Sequence, residues 1–362
     1  MAPIRINVTS ERAPYPVLIG PGLTRHLPAL LTRHGIGAQR LLVSSGPIWR
    51  LQGQRMRGVL PRGVAPVLLP DGERAKTLAT VSRLYDACVE RRLDRSAALV
   101  AFGGGVVGDV TGFAAATYLR GVDVVQIPTT LLAQVDSAIG GKTGVNLPTG
   151  KNLVGSFHSP TMVVCDPDVL RTLSRREFRA GMYEVIKYGI IASRRLFTHV
   201  ERHLDAIFAH EAATLTSVVA ACCRIKAEVV MADERESGPR RALNFGHTIG
   251  HALESITNYR RFRHGEAVGY GMLAAARLSV LRGTLTARDE ARLTTLIRAM
   301  GTMPPVSDLR ASDALSVIAR DKKVVAGRLH FVLASGIGRT EIVGDVHSRE
   351  LTLVMRSLGM QG

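Results

Sequence analysis

The sequence predicts an α/β nucleotide-binding domain built on a parallel sheet, followed by a mainly α-helical domain. Three observations predict it. Short β-rich runs alternate with helix-length amphipathic segments through the first half of the chain. Ala98-Leu99-Val100-Ala101-Phe102 is apolar at every position, as a strand covered on both faces requires. Beyond Asp166-Pro167 helical periodicity takes over, so the expected division is 1–170 and 171–362.

Taken in order, the expected strands are Ile4–Val8, Val17–Ile19, Arg40–Val43, Val67–Leu69, Ala97–Phe102, Val122–Ile127 and Met162–Cys165. Helical spacing falls between several of them, notably over Lys76–Arg91 and Val106–Tyr118. In the second half it covers Arg175–Ile191, Arg194–Phe208, Ala212–Ala232, Ala242–Ile256, Gly265–Leu281 and Ala287–Ala299. Breaks fall at Gly238-Pro239, Gly283 and Pro304-Pro305. Only His330–Leu333 reads as a late strand.

Composition removes several classes. Of 362 residues, 46% are hydrophobic, which is enough to bury a core and too much for a disordered chain. No apolar run reaches the about 18 residues of a membrane span, and the N-terminus carries no apolar leader, so a cytoplasmic protein is expected. Cys88, Cys165, Cys222 and Cys223 contain no C-x-x-C pair and read as reduced, buried thiols. The formal charge of +17 suggests a polyanion partner, but aromatics are only 5% and interleave with no basic stripe, so nucleic acid is not expected.

Phe102 runs into Gly103-Gly104-Gly105-Val106-Val107-Gly108-Asp109. Glycines between a buried strand and a helix let backbone amides approach a phosphate, and the helix N-terminus adds partial positive charge. A tight turn with no ligand has the same appearance, and Asp109 reads equally as a helix-start acid or a ligand contact. Residues 127–152 are then dense in Asp136, Lys142, Lys151 and Asn152 on glycine-punctuated loops. Gly140-Gly141-Lys142-Thr143 looks like the end of a P-loop, but the first glycine of that motif would fall at Asp136, so an ATPase or GTPase is a poor reading.

Metal-ligand types cluster in the second half. Glu184 and Lys187 lie one helical turn apart; His247 and His251 are four apart; His264 opens a later helix. One Glu with two His is a catalytic type of zinc shell that leaves room for substrate oxygens. Thr248 stands where H-E-x-x-H has its glutamate, so a zinc protease lacks its base. Ordinary polar residues at helix ends give the same spacing. Lys226, Glu236, Arg240, Asn244, Arg120 and the Lys322-Lys323 pair add a cationic set suited to a phosphorylated or carboxylated substrate.

As a set, these motifs resemble the 3-dehydroquinate synthase family of sugar-phosphate cyclases. The resemblance runs from Asp71-Gly72-Glu73 to Gly336-Ile337-Gly338. It is strongest in Gly103–Asp109, Ala115–Gly121, Pro128–Lys142, Gly150–Leu153, Glu184–Gly189, Leu243–His251 and His264–Val268. It implies a dehydroquinate-synthase-like fold and a phosphorus-oxygen lyase. The substrate would be 3-deoxy-D-arabino-heptulosonate 7-phosphate, with transient oxidation by NAD, loss of phosphate, re-reduction, ring opening and aldol closure. Zinc or cobalt would be held by Glu184, His247 and His264. NAD would lie across Gly104, Gly105 and Asp109, with Glu73, Lys76, Thr129, Thr130, Asp136, Lys142 and Lys151 lining its site. Asp136, Lys142, Asn152, Lys187, Lys226, Arg240, Asn244, His251 and one of Lys322 and Lys323 would contact this small phosphorylated sugar acid. Arg120 would reach the neighbouring site of a homodimer. Where many relatives carry a ribose-binding acid, this chain has Ser44-Ser45. Another sugar-phosphate cyclase, or a metal-dependent alcohol dehydrogenase, shares many of the same parts. Much of the arginine excess, as in Arg175-Arg176 and Arg260-Arg261, has no assigned role.

Overall fold

The computed structural model describes residues 3–236, 238–319, 324–325 and 328–362. The chain forms two compact units, 1–174 with 206–235, and 175–205 with 236–362. The first unit therefore takes in a segment, 206–235, that lies well beyond the sequence-level boundary. Lys322 and Lys323 fall outside the described residues.

Along the chain, β1 (Ile4–Val8) and β2 (Tyr15–Ile19) lead to α1 (Leu27–Arg33), β3 (Arg40–Ser45), α2 (Gly46–Gln52), β4 (Val67–Leu69), α3 (Leu78–Glu90), β5 (Ala98–Gly103), α4 (Gly105–Thr117) and β6 (Asp123–Pro128). Next come β7 (Lys142–Leu147), β8 (Gly150–Phe157) and β9 (Met162–Cys165). Among the described residues the main sheet has seven strands in the order β1-β2-β9-β6-β5-β3-β4. Only β1 pairs antiparallel, as an edge; the other pairings are parallel.

β5 shows why the apolar run is a strand. Leu99 and Ala101 join a core with Val81 and Leu84 of α3 and Val110 and Phe113 of α4. Ala98, Val100 and Phe102 join the opposite core, with Leu27, Leu30 and Leu31 of α1. A period-2 backbone covered on both faces needs this continuous apolar sequence. From β3 the chain first goes outward to β4, then returns to place β5 on the other side. The carboxyl ends of β3 and β5 thus form a topological switch point, the usual ligand crevice of an open parallel sheet.

Residues 142–152, read from the sequence as part of a glycine-punctuated loop run, instead belong to the antiparallel β7–β8 hairpin, with Leu147 opposite Gly150. Its register depends on contacts that a polar, glycine-rich run does not advertise.

The second unit is mainly helical. It contains α5 (Arg175–Ala192) and α6 (Arg194–Arg202), separated by Ser193, whose hydroxyl caps α6 by accepting the Leu196 N–H at 3.1 Å. The short α7 (Leu204–Phe208) leads back to α8 (Ala212–Ala232) of the first unit. The unit continues with α9 (His247–Ile256), α10 (His264–Leu281), α11 (Ala287–Ala299), α12 (Ala311–Ile318), a hairpin of β10 (Phe331–Gly336) and β11 (Arg339–Val343), and α13 (Ser348–Ser357). The expected 242–256 helix begins later, because Gly246 takes φ +80° and sets the entry into α9 at His247. No helix among the described residues is long and apolar enough to cross a membrane.

Candidate functional site

In the first unit the glycine turn follows the carboxyl end of β5 and Thr129 and Thr130 follow that of β6, whereas Arg120 precedes β6, at the opposite end of the strand. Gly104 caps α4, and the Gly103 carbonyl accepts the Thr129 N–H at 2.9 Å, tying β5 to the end of β6. A Cβ on Gly103 would lie 2.5 Å from Val107, and one on Gly104 would lie 3.1 Å from Thr130. Packing therefore requires part of the glycine run before any ligand is considered. Three other features suit a dinucleotide. The first amides of α4 have no partner within the helix. The buried Thr129 and Ser45 hydroxyls, just after β6 and at the end of β3, have no hydrogen-bond partner among the described residues. Ser45 ends β3 and Thr129 directly follows β6, the two neighbours of β5, so the residues present fit a phosphate- and hydroxyl-bearing cofactor.

Lys76 is buried beside this turn. Its ammonium donates to Asp109 Oδ2 and to Asn152 Oδ1, each at 2.5 Å. Asn152 sits on β8 with φ +54°, and its N–H donates to Asn146 Oδ1 at 2.9 Å. Asn146 in turn donates to Glu73 Oε1 at 2.8 Å, and the Lys151 ammonium is 3.8 Å from that oxygen. The β7–β8 hairpin thus closes one polar network over Glu73, Lys76, Asp109, Lys151 and Asn152. Burial pushes the Asp109 carboxyl above its ordinary pKa, the Glu73 and Asp136 charges add to the rise, and Lys76 only partly offsets it.

Asp136 lies in a single π-helical turn, Ala133–Ser137, of a kind common at functional sites. Its Oδ1 accepts from Lys226 of α8 at 2.6 Å. Thr130 starts this turn, its hydroxyl accepting the Ala133 N–H at 3.2 Å. Lys142 opens β7 with its side chain exposed. Arg120 is exposed on a turn where Leu119 (φ +49°) and Arg120 (φ +67°) are both left-handed, an uncommon backbone for such residues.

The second unit carries the ligand cluster. Glu184 and Lys187 face inward on α5 at 0% and 1% exposure and are in direct contact through Oε2 and Nζ. Glu184 Oε1 has no hydrogen-bond partner among the described residues. His247 Nδ1 is 3.2 Å from the Phe245 carbonyl, and His264 Nδ1 is 3.3 Å from Glu254 Oε2. A carbonyl or carboxylate can only accept, so each Nδ1 carries a proton, and in the neutral imidazole each Nε2 keeps its lone pair for a metal. Those two Nε2 atoms lie 3.7 and 3.8 Å from the same oxygen, Glu184 Oε1. Ligands about 2.1 Å from a tetrahedral zinc would stand about 3.4 Å apart, so a small contraction around an ion brings them into place. A buried carboxylate oxygen with no hydrogen-bond partner among the described residues, facing two imidazole Nε2 atoms, fits a divalent cation. His251 belongs to the same cluster, its ligand atom lying within 4.8 Å of those of His247 and His264. Burial would lower the His264 imidazole, but the Glu254 hydrogen bond and the Glu254 and Glu184 charges outweigh it, so its pKa is raised. Nearby, Arg240 is 1% exposed, and Asn244 donates to Glu236 Oε1 at 2.7 Å.

Two partners in these networks escape the sequence reading. Glu254 lies seven residues after His247, on the same helical face, and that spacing could have revealed it. Asn146 has no comparable signal, because its place follows from the hairpin register.

Comparison with known proteins agrees with this layout. The family model for the 3-dehydroquinate synthase N-terminal region matches residues 66–180, and that for the C-terminal region matches 181–324. A 3-dehydroquinate synthase of Thermosynechococcus vestitus is 50% identical over 343 residues, covering 92% of this chain and 93% of the relative. The chain belongs to the 3-dehydroquinate synthase family. Two solved cyclase structures share the family's fold. A 2-epi-5-epi-valiolone synthase from Streptomyces hygroscopicus, with NAD+ and Zn2+ bound, superposes with a TM-score of 0.87 at 29% identity, covering 98% of this chain and 99% of that one. A 2-deoxy-scyllo-inosose synthase, complexed with carbaglucose-6-phosphate, NAD+ and Co2+, gives a TM-score of 0.87 at 26% identity, covering 98% and 100%.

Proposed function

We propose that this chain converts 3-deoxy-D-arabino-heptulosonate 7-phosphate to 3-dehydroquinate and phosphate. The observation that carries the reading is 50% identity to a 3-dehydroquinate synthase over nearly the whole chain, against 26–29% to cyclases of other products. When bound, NAD supplies a hydride acceptor and zinc or cobalt supplies a Lewis acid for the hydroxyl being oxidised.

The chain's residues then have distinct tasks. Glu184, His247 and His264 hold the metal. Gly104, Gly105 and the α4 N-terminus take the cofactor's phosphates, with Glu73, Lys76, Asp109, Thr129, Thr130 and Lys151 around it. The buried Ser45 hydroxyl, which has no hydrogen-bond partner among the described residues, takes the ribose contact. Lys142, Lys187, Lys226 and Arg240 supply positive charge to a phosphate and a carboxylate, while Asp136, Asn152, Asn244 and His251 orient hydroxyls. One of Lys322 and Lys323 adds a further contact. A homodimer is part of this reading, with the exposed Arg120 turn reaching the neighbouring subunit's site. The four cysteines are buried free thiols, in keeping with a cytoplasmic setting.

Substrate choice tests the reading. Phosphate should be released from the heptulosonate phosphate and not from a sugar phosphate lacking the carboxylate. The opposite preference would move the chain to another cyclase activity. Glu254 gives a second test, because it fixes the His264 ring through Nδ1. Glu254→Gln should weaken zinc binding about 10–100-fold in a chelator competition. Unchanged zinc affinity would remove Glu254 from that task.

A further inference from the structure

The basic excess is concentrated where the proposed chemistry does not use it. From Arg12 to Pro70 the chain has eight arginines and no Asp or Glu. Three of them are engaged within the first unit. Arg12 pairs with Asp123 at 3.0 Å, and Arg40 donates to the carbonyls of Ile36, Gly37 and Val59. Arg55 approaches Asp166 at 3.9 Å. Arg25, Arg33, Arg50, Arg57 and Arg62 are exposed and form no ion pair among the described residues.

Part of this surface is concave. A groove of about 530 Å³ has Leu42, Trp49, Met56 and Leu60 in its lining, together with Arg57 and Arg62. Leu42 and Met56 are core residues, so the floor is apolar. Beside it, Leu51 is 64% exposed and Val64 40% exposed. The volume is ample for one or two large apolar side chains.

We propose that this groove docks an acidic amphipathic segment of a protein partner. Apolar anchors would sit beside Trp49, with flanking carboxylates against Arg57 and Arg62. Two features disfavour nucleic acid. The single aromatic ring packs against Gly53, where a Cβ would lie only 2.8 Å from it, rather than standing open as a stacking platform. A uniformly charged backbone would also leave the apolar floor unused. A lipid surface engages projecting apolar residues, whereas this site is recessed.

Trp49 is the chain's only tryptophan and reports on the groove directly. The full chain is titrated with a short synthetic peptide of Glu, Leu and Phe. Trp49 emission should shift saturably, and added salt should weaken the binding. In an Arg57→Glu/Arg62→Glu variant, affinity should fall by about tenfold or more. An unshifted emission would overturn the proposal. So would equal binding of an all-Glu peptide, or tighter binding of single-stranded DNA to the same arginines. Because these arginines are exposed and form no ion pair among the described residues, the thermal midpoint should be unchanged. Should the double Glu variant fail to fold, Val64→Glu supplies the same comparison at the rim, with retained affinity counting against docking.

Discussion

Glu184→Gln is expected to abolish stoichiometric zinc binding and to lower kcat/KM at least about 100-fold, the upper end of what outer-shell partners of a metal cost. The substitution keeps the shape and removes the charge. Glu184 is fully buried, its Oε2 is paired with Lys187, and its Oε1, which has no hydrogen-bond partner among the described residues, faces the Nε2 atoms of both His247 and His264. A neutral amide in that position does not neutralise a divalent ion, and its NH2 can donate to the imidazole lone pairs that the ion needs. The variant also leaves the Lys187 ammonium, 1% exposed, without its carboxylate, which costs on the order of 3–5 kcal/mol for a broken buried pair. Zinc content is therefore measured beside a thermal melt, with His247→Ala as a second variant that spares the Glu184–Lys187 contact. Full zinc occupancy in both variants would refute the ligand set.

Gly265→Ala should be nearly as damaging, although it removes no functional group. A Cβ at this position would lie 1.9 Å from the Ala180 carbonyl oxygen, and that neighbour is helix backbone, which cannot rotate away. The methyl group must push α10 off α5. These two helices carry His264 and Glu184, so the displacement separates a ligand pair whose nearest atoms are 3.8 Å apart. Overpacking of this kind costs about 1–3 kcal/mol, so the melting temperature should fall by several degrees and zinc affinity should drop with it. A variant with unchanged melting and zinc affinity would show that the helices tolerate more separation than their contact implies.

The sequence carried the parts of the fold that local pattern determines. The β5 run is legible because burial on both faces demands apolar residues at every position. β1 and β9 also begin and end at the expected residues, β1 on an alternating pattern and β9 on an apolar run. The β7–β8 hairpin was not legible, because Lys142–Phe157 is polar and glycine-rich and its register is fixed by pairing alone. The Ala212–Ala232 helix was legible as a helix but not as part of the first unit. That placement rests on long-range contacts such as Lys226 to Asp136 and the Cys223 thiol to the Gln134 carbonyl at 3.3 Å.

The candidate site divides in the same way. Residue types and spacings nominated Glu184, His247, His251 and His264, and the structure brings these four together. Spacing did not show that Phe245 and Glu254 fix the imidazole tautomers, since this depends on where a carbonyl and a carboxylate fall in space. Nor did it show the Glu73–Asn146–Asn152–Lys76 chain of hydrogen bonds, which exists only once the hairpin has formed.

The central claim is a reaction that uses NAD and returns it unchanged. Its most direct test follows phosphate and reduced nicotinamide together while the purified chain, with zinc and NAD, turns over the heptulosonate phosphate. The account predicts one phosphate released per substrate consumed and no net reduced nicotinamide at the end. Reduced nicotinamide accumulating in step with product, without phosphate release, would contradict it.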